Sequence, residues 1–173
     1  VGNSAYCTDV LGTANVSWVY GSKFMQRPEG RTDTILGSVD HETGNLLITG
    51  GPAINPLADE FDRYFGISYT YTPTYFSISS DGYSLGLNLT EYPRKDIAII
   101  HLGRENSRNI LLIWGYGWRG TYAGTVLVSD PSFWTIYANY HLLLLEWIDS
   151  NGDGLVQRPE ITIRYAGYGP HIA

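Results

Sequence analysis

Two stretches of the chain share one design: a short apolar run, a glycine-rich turn, and then helical spacing. In "NLLITGGPAINPLADEFDRYFG" (45–66) the run Leu46–Thr49 reads as a buried strand that breaks at Gly50-Gly51-Pro52. After "INP", a proline opens the next segment, acids follow in its first turn, and Leu57, Phe61, Tyr64 and Phe65 recur at amphipathic spacing. Proline at the first helical position and acids near the positive end of the dipole are helix-start chemistry. In "NILLIWGYGWRGTYAGTVLVSD" (109–130) the strand and glycine turn recur before a short apolar segment with helical potential. The two runs are expected to be neighbouring parallel strands, each leaving into a helix, as in an α/β layer.

Between them the period changes from helical to alternating. "ISYTYTPTYFSISSDGYSLGLNLTEYP" (67–93) is rich in Tyr, Thr, Ser and Ile, and predicts two or three antiparallel strands with "SSDG" as a turn. "DIAIIHLG" (96–103) predicts another strand, closed by the polar turn "RENSRN". Residues 1–44 read as polar and turn-rich, with one strand-like run at 15–21, "NVSWVYG", and a hairpin turn at "DHETG" (40–44). This N-terminal strand and loop segment is set apart from a main domain at 45–173, to pack on its own chain or complete a neighbour's sheet. Toward the C-terminus, 134–148 reads as helix or strand, with strand favoured on both sides of the acidic loop that follows. The expected class is therefore α/β or α+β, one sheet-rich domain with two strand–glycine-turn–helix units, extra antiparallel strands and a C-terminal hairpin.

The acidic loop is the most specific chemical feature. "DSNGDGLVQRPE" (149–160) satisfies D-x-[DN]-x-[DN]-G-x5-E at every defined position. Ca²⁺ takes six to eight hard oxygens. Asp149, Asn151 and Asp153 offer side-chain oxygens, Leu155 a backbone carbonyl, Gln157 a direct or water-bridged contact, and Glu160 two carboxylate oxygens. The alternative is an Asx-rich turn without metal. The loop is single, and "ITIRYAG" after it reads as strand. A structural ion therefore suits it better than a sensor, with a Kd on the order of 10⁻⁴–10⁻³ M.

Composition narrows the partners. With 173 residues the chain is long enough for one well-buried core, and 43% hydrophobic with 16% charged residues is no disordered composition. A net charge of −6 argues against nucleic acid and anionic membrane surfaces. No apolar run approaches the roughly 20 residues of a membrane span. The chain opens on Val1, which reads as a mature or trimmed product. Cys7 is the one cysteine, read first as a buried thiol and second as an intermolecular link. The triplets Asn15-Val-Ser17 and Asn88-Leu-Thr90 are N-glycosylation acceptors in an exported protein. Together with the calcium loop and the scarcity of lysine, they tilt the reading to the extracellular side.

Three further motifs weigh less. "GYGWRG" (115–120) matches the dinucleotide fingerprint G-x-G-x-x-G, but Tyr116, Trp118 and Arg119 are bulky for a turn that must hug pyrophosphate. A packing turn is the better reading. "GYSLG" (82–86) matches the nucleophile elbow around Ser84, yet alternating "LGLNLTEYP" follows where a helix is required. The four histidines show no metal-ligand spacing, "DHE" (40–42) reads as a solvated turn, and Asp59, Glu60 and Asp62 complement the dipole of the predicted helix.

Three blocks together carry a family resemblance. "LLITGGPAINPLADEF" resembles the strand–Gly-Gly-Pro–Asn-Pro–helix element of archaeal surface-layer (S-layer) proteins, and "ILLIWGYGWRGTYAGTVLVSD" resembles their second such element. "WIDSNGDGLVQRPEITI" is similar to calcium-loop hairpins of archaeal cell-surface proteins, so the likeness spans roughly residues 45–165. It implies a non-enzymatic structural protein outside the cell. Such a protein self-associates into a sheet, tube or filament, often with calcium and glycans, its partners being its own copies and other surface-layer components. The alternatives are a secreted hydrolase acting on carbohydrate or peptide, and a monomeric glycan-binding or adhesion module.

Overall fold

The computed structural model describes residues 1–2 and 4–169, and the backbone alone of 171–172. Among the described residues, five α-helices and nine strands form a mixed α+β body with two sheets. The elements are α1 (Cys7–Phe24), α2 (Ser38–Thr43), β1 (Leu46–Thr49), α3 (Pro56–Tyr64), β2 (Ser68–Tyr71), β3 (Tyr75–Ser80), β4 (Tyr83–Asn88) and β5 (Lys95–Glu105). They continue with β6 (Arg108–Gly115), α4 (Trp118–Val128), α5 (Phe133–Ile136), β7 (Tyr140–Ile148), β8 (Ile161–Tyr168) and the short β9 (His171–Ile172).

The large sheet runs β1-β6-β5-β7-β8, with β9 added against the end of β5. β1 and β6 are parallel neighbours, Leu46 opposite Ile110 and Thr49 opposite Ile113, as the repeated strand–glycine pattern predicts. Each then leaves into a helix. After β1 the chain turns at Gly50, whose φ of +90° excludes most side chains. Asn55 then caps α3, its Oδ1 accepting from Leu57 N at 3.1 Å and its Nδ2 donating to Thr49 O at 3.0 Å, with Pro56 in the first turn.

Both faces of the sheet are covered, which is why its central strands read as unbroken apolar runs. On one face Ile97, Ile99, Ile110, Leu112, Trp114, Leu142 and Leu144 pack with Phe61 and Phe65 of the α3 segment and with Phe76, Ile78 and Leu87 of the small sheet β2-β3-β4. On the other, Ala98, Ile100, Ile113, Leu143, Leu145 and Trp147 meet Val16 of α1, Ala123 and Leu127 of α4, and Phe133 of α5. The "SSDG" turn joins β3 to β4 with Asp81 and Gly82 both at positive φ, the hairpin geometry that such residues permit.

The N-terminal quarter departs from expectation. The strand expected at 15–21 is the second half of the eighteen-residue helix α1. Val16, Trp18 and Tyr20 alternate as a strand would, yet no sheet edge reaches them. Instead Asp9, Gly12 and Val16 form a buried stripe, and Thr13 Oγ1 lies 2.6 Å from Thr49 Oγ1. This segment thus packs on its own chain. "DHETG" is the end of α2 rather than a hairpin turn, and Cys7 is exposed rather than buried. The 134–148 stretch resolves into the tail of α5 followed by β7.

Gly12 sets how closely α1 approaches α4: a Cβ there would stand 2.3 Å from Thr125 Oγ1. Gly12→Val is expected to cost about 2 kcal/mol through this overpacking. That is a loss of roughly 5 °C in thermal unfolding, with the N-terminal segment becoming protease-sensitive before the rest. An unchanged melting curve would show that α1 is not docked as described.

Candidate functional site: the loop between β7 and β8

The loop 149–160 joins the antiparallel strands β7 and β8, the hairpin read from the sequence. β7 ends on buried Trp147 and exposed Ile148, and Asp149 follows, its N–H donating to Arg94 O at 2.8 Å. The carboxylate of this buried residue then organises the turn. Oδ1 accepts from Gly152 N at 2.7 Å and Oδ2 from Gly154 N at 3.2 Å. Gly152 and Gly154 sit at φ of +79° and +72°, where a Cβ is disfavoured. Asn151 Oδ1 accepts from Asp153 N at 2.9 Å and Asp153 Oδ1 from Leu155 N at 2.8 Å, two successive Asx turns.

Glu160 closes the loop. It stands at the end of a 3₁₀ turn, Arg158–Glu160, and reaches back to the start of the loop. Oε1 accepts from Ser150 N and Oγ, both at 3.0 Å, and Oε2 from the indole N–H of buried Trp147 at 3.2 Å. Positions 1 and 12 of the motif are thus fixed at the two strand ends. Ser150 and Trp147, which donate to Glu160, carry no mark in the sequence pattern.

The donor set suits a hard cation: two aspartates, one glutamate, two amides and the Leu155 carbonyl, all oxygen. Among the described residues, no three His, Cys, Asp or Glu side chains converge tightly enough to hold an ion by themselves. Asp153 Oδ2 accepts from Asn151 Nδ2 at 3.0 Å and Gln157 Nε2 at 2.6 Å. Rotating the Gln157 amide exchanges nitrogen for oxygen, a change of roughly isosteric groups, while Asn151 keeps its Oδ1 on Asp153 N.

The other motifs resolve differently. In "GYGWRG" the backbone N–H groups that the fingerprint would offer to phosphate are taken by the chain's own anion. Asp96, fully buried at the start of β5, accepts from Gly117 N at 3.1 Å, Gly120 N at 2.8 Å and Ile97 N at 2.8 Å. It serves as a carboxylate cap for α4 supplied from another strand. A Cβ at Gly120 would fall 2.6 Å from Ile97 O, so the glycine is required by this approach. Ser84 lies on strand β4 with Ser79 as its hydrogen-bond partner, not on an elbow. His41 faces Glu60, and His141 faces Asp81 at 2.6 Å and Gly169 O at 2.7 Å. His171 lies where only backbone is described. Asp59 pairs with Arg63 along α3, while Asp62 turns inward to Trp114.

Both glycosylation triplets are accessible. Asn15 is exposed on α1. Asn88 is exposed at the end of β4, its Oδ1 accepting from Thr90 N at 3.1 Å and Thr90 Oγ1 at 2.9 Å. Behind the calcium-type loop lies a charge cluster invisible in the sequence: buried Glu146 of β7 binds the half-exposed Arg164 of β8 and Lys95 of β5. Burial of Glu146 opposes its ionisation, but those two cations outweigh it and hold the carboxyl below its usual range. No helix among the described residues is long and apolar enough to cross a membrane. No protein-family model, curated protein or solved structure matches the chain.

Proposed function

We propose that this is a non-enzymatic structural domain of the cell exterior that associates with its own copies, with a calcium ion in the 149–160 loop as a rivet between β7 and β8. The observation that carries the reading is the state of the loop itself. Its left-handed glycines, Asx turns and Glu160 closure give the loop the sharp turn and the meeting of first and last acids that the calcium-loop pattern calls for. Asp149, Asn151, Asp153, Leu155, Gln157 and Glu160 would supply the oxygens. The ion would relieve the mutual repulsion of three carboxylates only in the folded geometry, so binding and folding are coupled. A rivet at a strand–strand connection, remote from any flexible helix pair, has nothing to switch. Exposed Asn15 and Asn88 agree with glycan decoration outside the cell.

The test is thermal unfolding in chelator and in 10 mM calcium. With a Kd on the order of 10⁻⁴–10⁻³ M, that concentration adds about 1.4–2.7 kcal/mol, or roughly 3–10 °C. Trp147 fluorescence should change in the same titration, since its indole N–H shares Glu160 with the ion. Asp153→Ala removes both responses. Light scattering and electron microscopy of the same samples read self-association, expected to grow with calcium. Identical melting with and without calcium would overturn the rivet, and monomers throughout would overturn the assembly.

A further inference from the structure

We infer that strand β2 is the pairing edge through which two copies of this chain join, antiparallel about a two-fold axis at Thr70; this rests on the self-association reading above. Apart from the two-residue β9, the described residues form four sheet edges, and these are treated unequally. β8 is broken by register shifts against β7 and carries Arg164, paired to Glu146. β1 faces a cavity of about 510 Å³ enclosed by α1 and residues 26–32. β4 is tied to the large sheet, Tyr83 stacking on Tyr165 of β8 with ring centres 3.5 Å apart. Bulges, charges and covering segments are the usual devices against edge-to-edge association.

β2 has none of them. All four of its residues are exposed, and no charged residue occurs between Arg63 and Asp81. Tyr69 and Tyr71 stand 47% and 61% exposed although each already touches a ring behind it, Phe76 and Tyr116 respectively. An uncharged strand meets no repulsion from its own copy.

The backbone fixes the register. Thr72 and Tyr75 exchange both hydrogen bonds, at 2.8 and 3.4 Å. In an antiparallel pair, hydrogen-bonded and non-hydrogen-bonded positions alternate. Thr70 and Ser68, opposite Ser77 and Ser79, therefore turn their N–H and C=O toward β3. Those of Tyr69 and Tyr71 are left on the open side. Only a register that sets Tyr69 against Tyr71 of the second copy uses both residues twice, giving four backbone hydrogen bonds. It places Thr70 opposite Thr70 and aligns the tyrosines in cross-strand aromatic pairs. A shift centred on Tyr71 would bring in Pro73, which has no N–H to give. A contact four residues long falls far below the roughly 1,200–2,000 Å² of a stable complex. Each pairing is thus weak alone; a two-fold contact closes on a pair of copies, so a polymer needs a second contact elsewhere on the chain.

Cysteine trapping decides it, with Cys7→Ser as the background. In this register the Thr70 Cα atoms of the two copies stand about 4.5 Å apart, within disulfide reach. Thr70→Cys should therefore form a covalent dimer on mild oxidation. Ser68→Cys should stay monomeric alone, but cross-link when mixed with Thr72→Cys, its expected opposite. Thr70→Lys, on an exposed site that leaves the fold intact, should reduce calcium-dependent light scattering several-fold. Equal cross-linking of Thr70→Cys and Ser68→Cys would mean random collision and overturn the pairing. So would wild-type scattering from Thr70→Lys, with assembly then standing on another surface. Trapping at Thr70 without polymers would keep the pairing and refute the polymer.

Discussion

Stability is expected to climb as the pH is lowered from 8 toward 5, and Asp62→Asn should remove the largest part of that slope. Asp62 lies on the inner side of α3, 4% exposed. One oxygen accepts from Trp114 Nε1 at 3.0 Å, and the other finds no partner among the described residues. Burial drives its pKa up to about 7, the Trp114 hydrogen bond offsetting only part and the charge of Asp59 adding to it. Burial likewise raises Asp9 and Asp96 to about 6, against 3.8 for an ordinary aspartate. A carboxyl whose folded pKa lies above its unfolded value binds protons better in the folded state. Its stabilising contribution is complete below the unfolded value, and it is lost as the pH rises through 6 and 7. For Asp62 the rise from 3.8 to about 7 corresponds to roughly 4 kcal/mol in all. Glu146 works in the opposite sense: its contribution is present above its ordinary range and lost in stronger acid. The optimum should therefore lie below pH 5, where the gain from the three aspartates meets the loss from Glu146. Asp62→Asn keeps an acceptor for Trp114 and removes the charge. Urea unfolding at pH 5, 6, 7 and 8 should give a much flatter profile for the variant, and parallel profiles would refute the assignment.

Asp96→Ala should be the most damaging change to α4. It strips the carboxylate from the N–H groups of Gly117, Gly120 and Ile97. A buried donor left unsatisfied costs about 1–3 kcal/mol. Part of that loss is returned at neutral pH, because a buried charge also disappears. The net expectation is about 3 kcal/mol, or roughly 10 °C in melting temperature, with Asp96→Asn intermediate because one acceptor remains. A drop under about 1 kcal/mol would mean that water reaches the turn.

These two aspartates show where the sequence speaks and where it is silent. β1, β6 and their helices were legible because apolar runs, glycine turns and Asn-Pro capping all act locally and agree. The loop was legible for the same reason: each ligand position is set by its neighbours. Asp96 was not, since its partners arrive from Gly117 and Gly120 across the sheet, and the only hint was an acid at the head of "DIAIIHLG". α1 misled because its alternating Val16, Trp18 and Tyr20 mimic a strand. Helix prevails through tertiary contacts with α4 and Thr49, which no window of the sequence contains. The Glu146–Lys95–Arg164 cluster joins three strands and was likewise beyond local reading.

The parallel pairing of β1 with β6 also dictates an order of events. β5 and β6 are joined by a tight turn, and β7 and β8 by the loop, so these four strands can meet soon after they leave the ribosome. Leu46, in contrast, must wait for Ile110, with all of α3 and β2–β5 lying between them. Closing so long a segment carries an entropy cost that short hairpins avoid. Of these strands, the one made first is therefore the last to settle. Until then β6 presents a bare apolar edge, and the interval between the two is when the nascent protein is most exposed to mispairing.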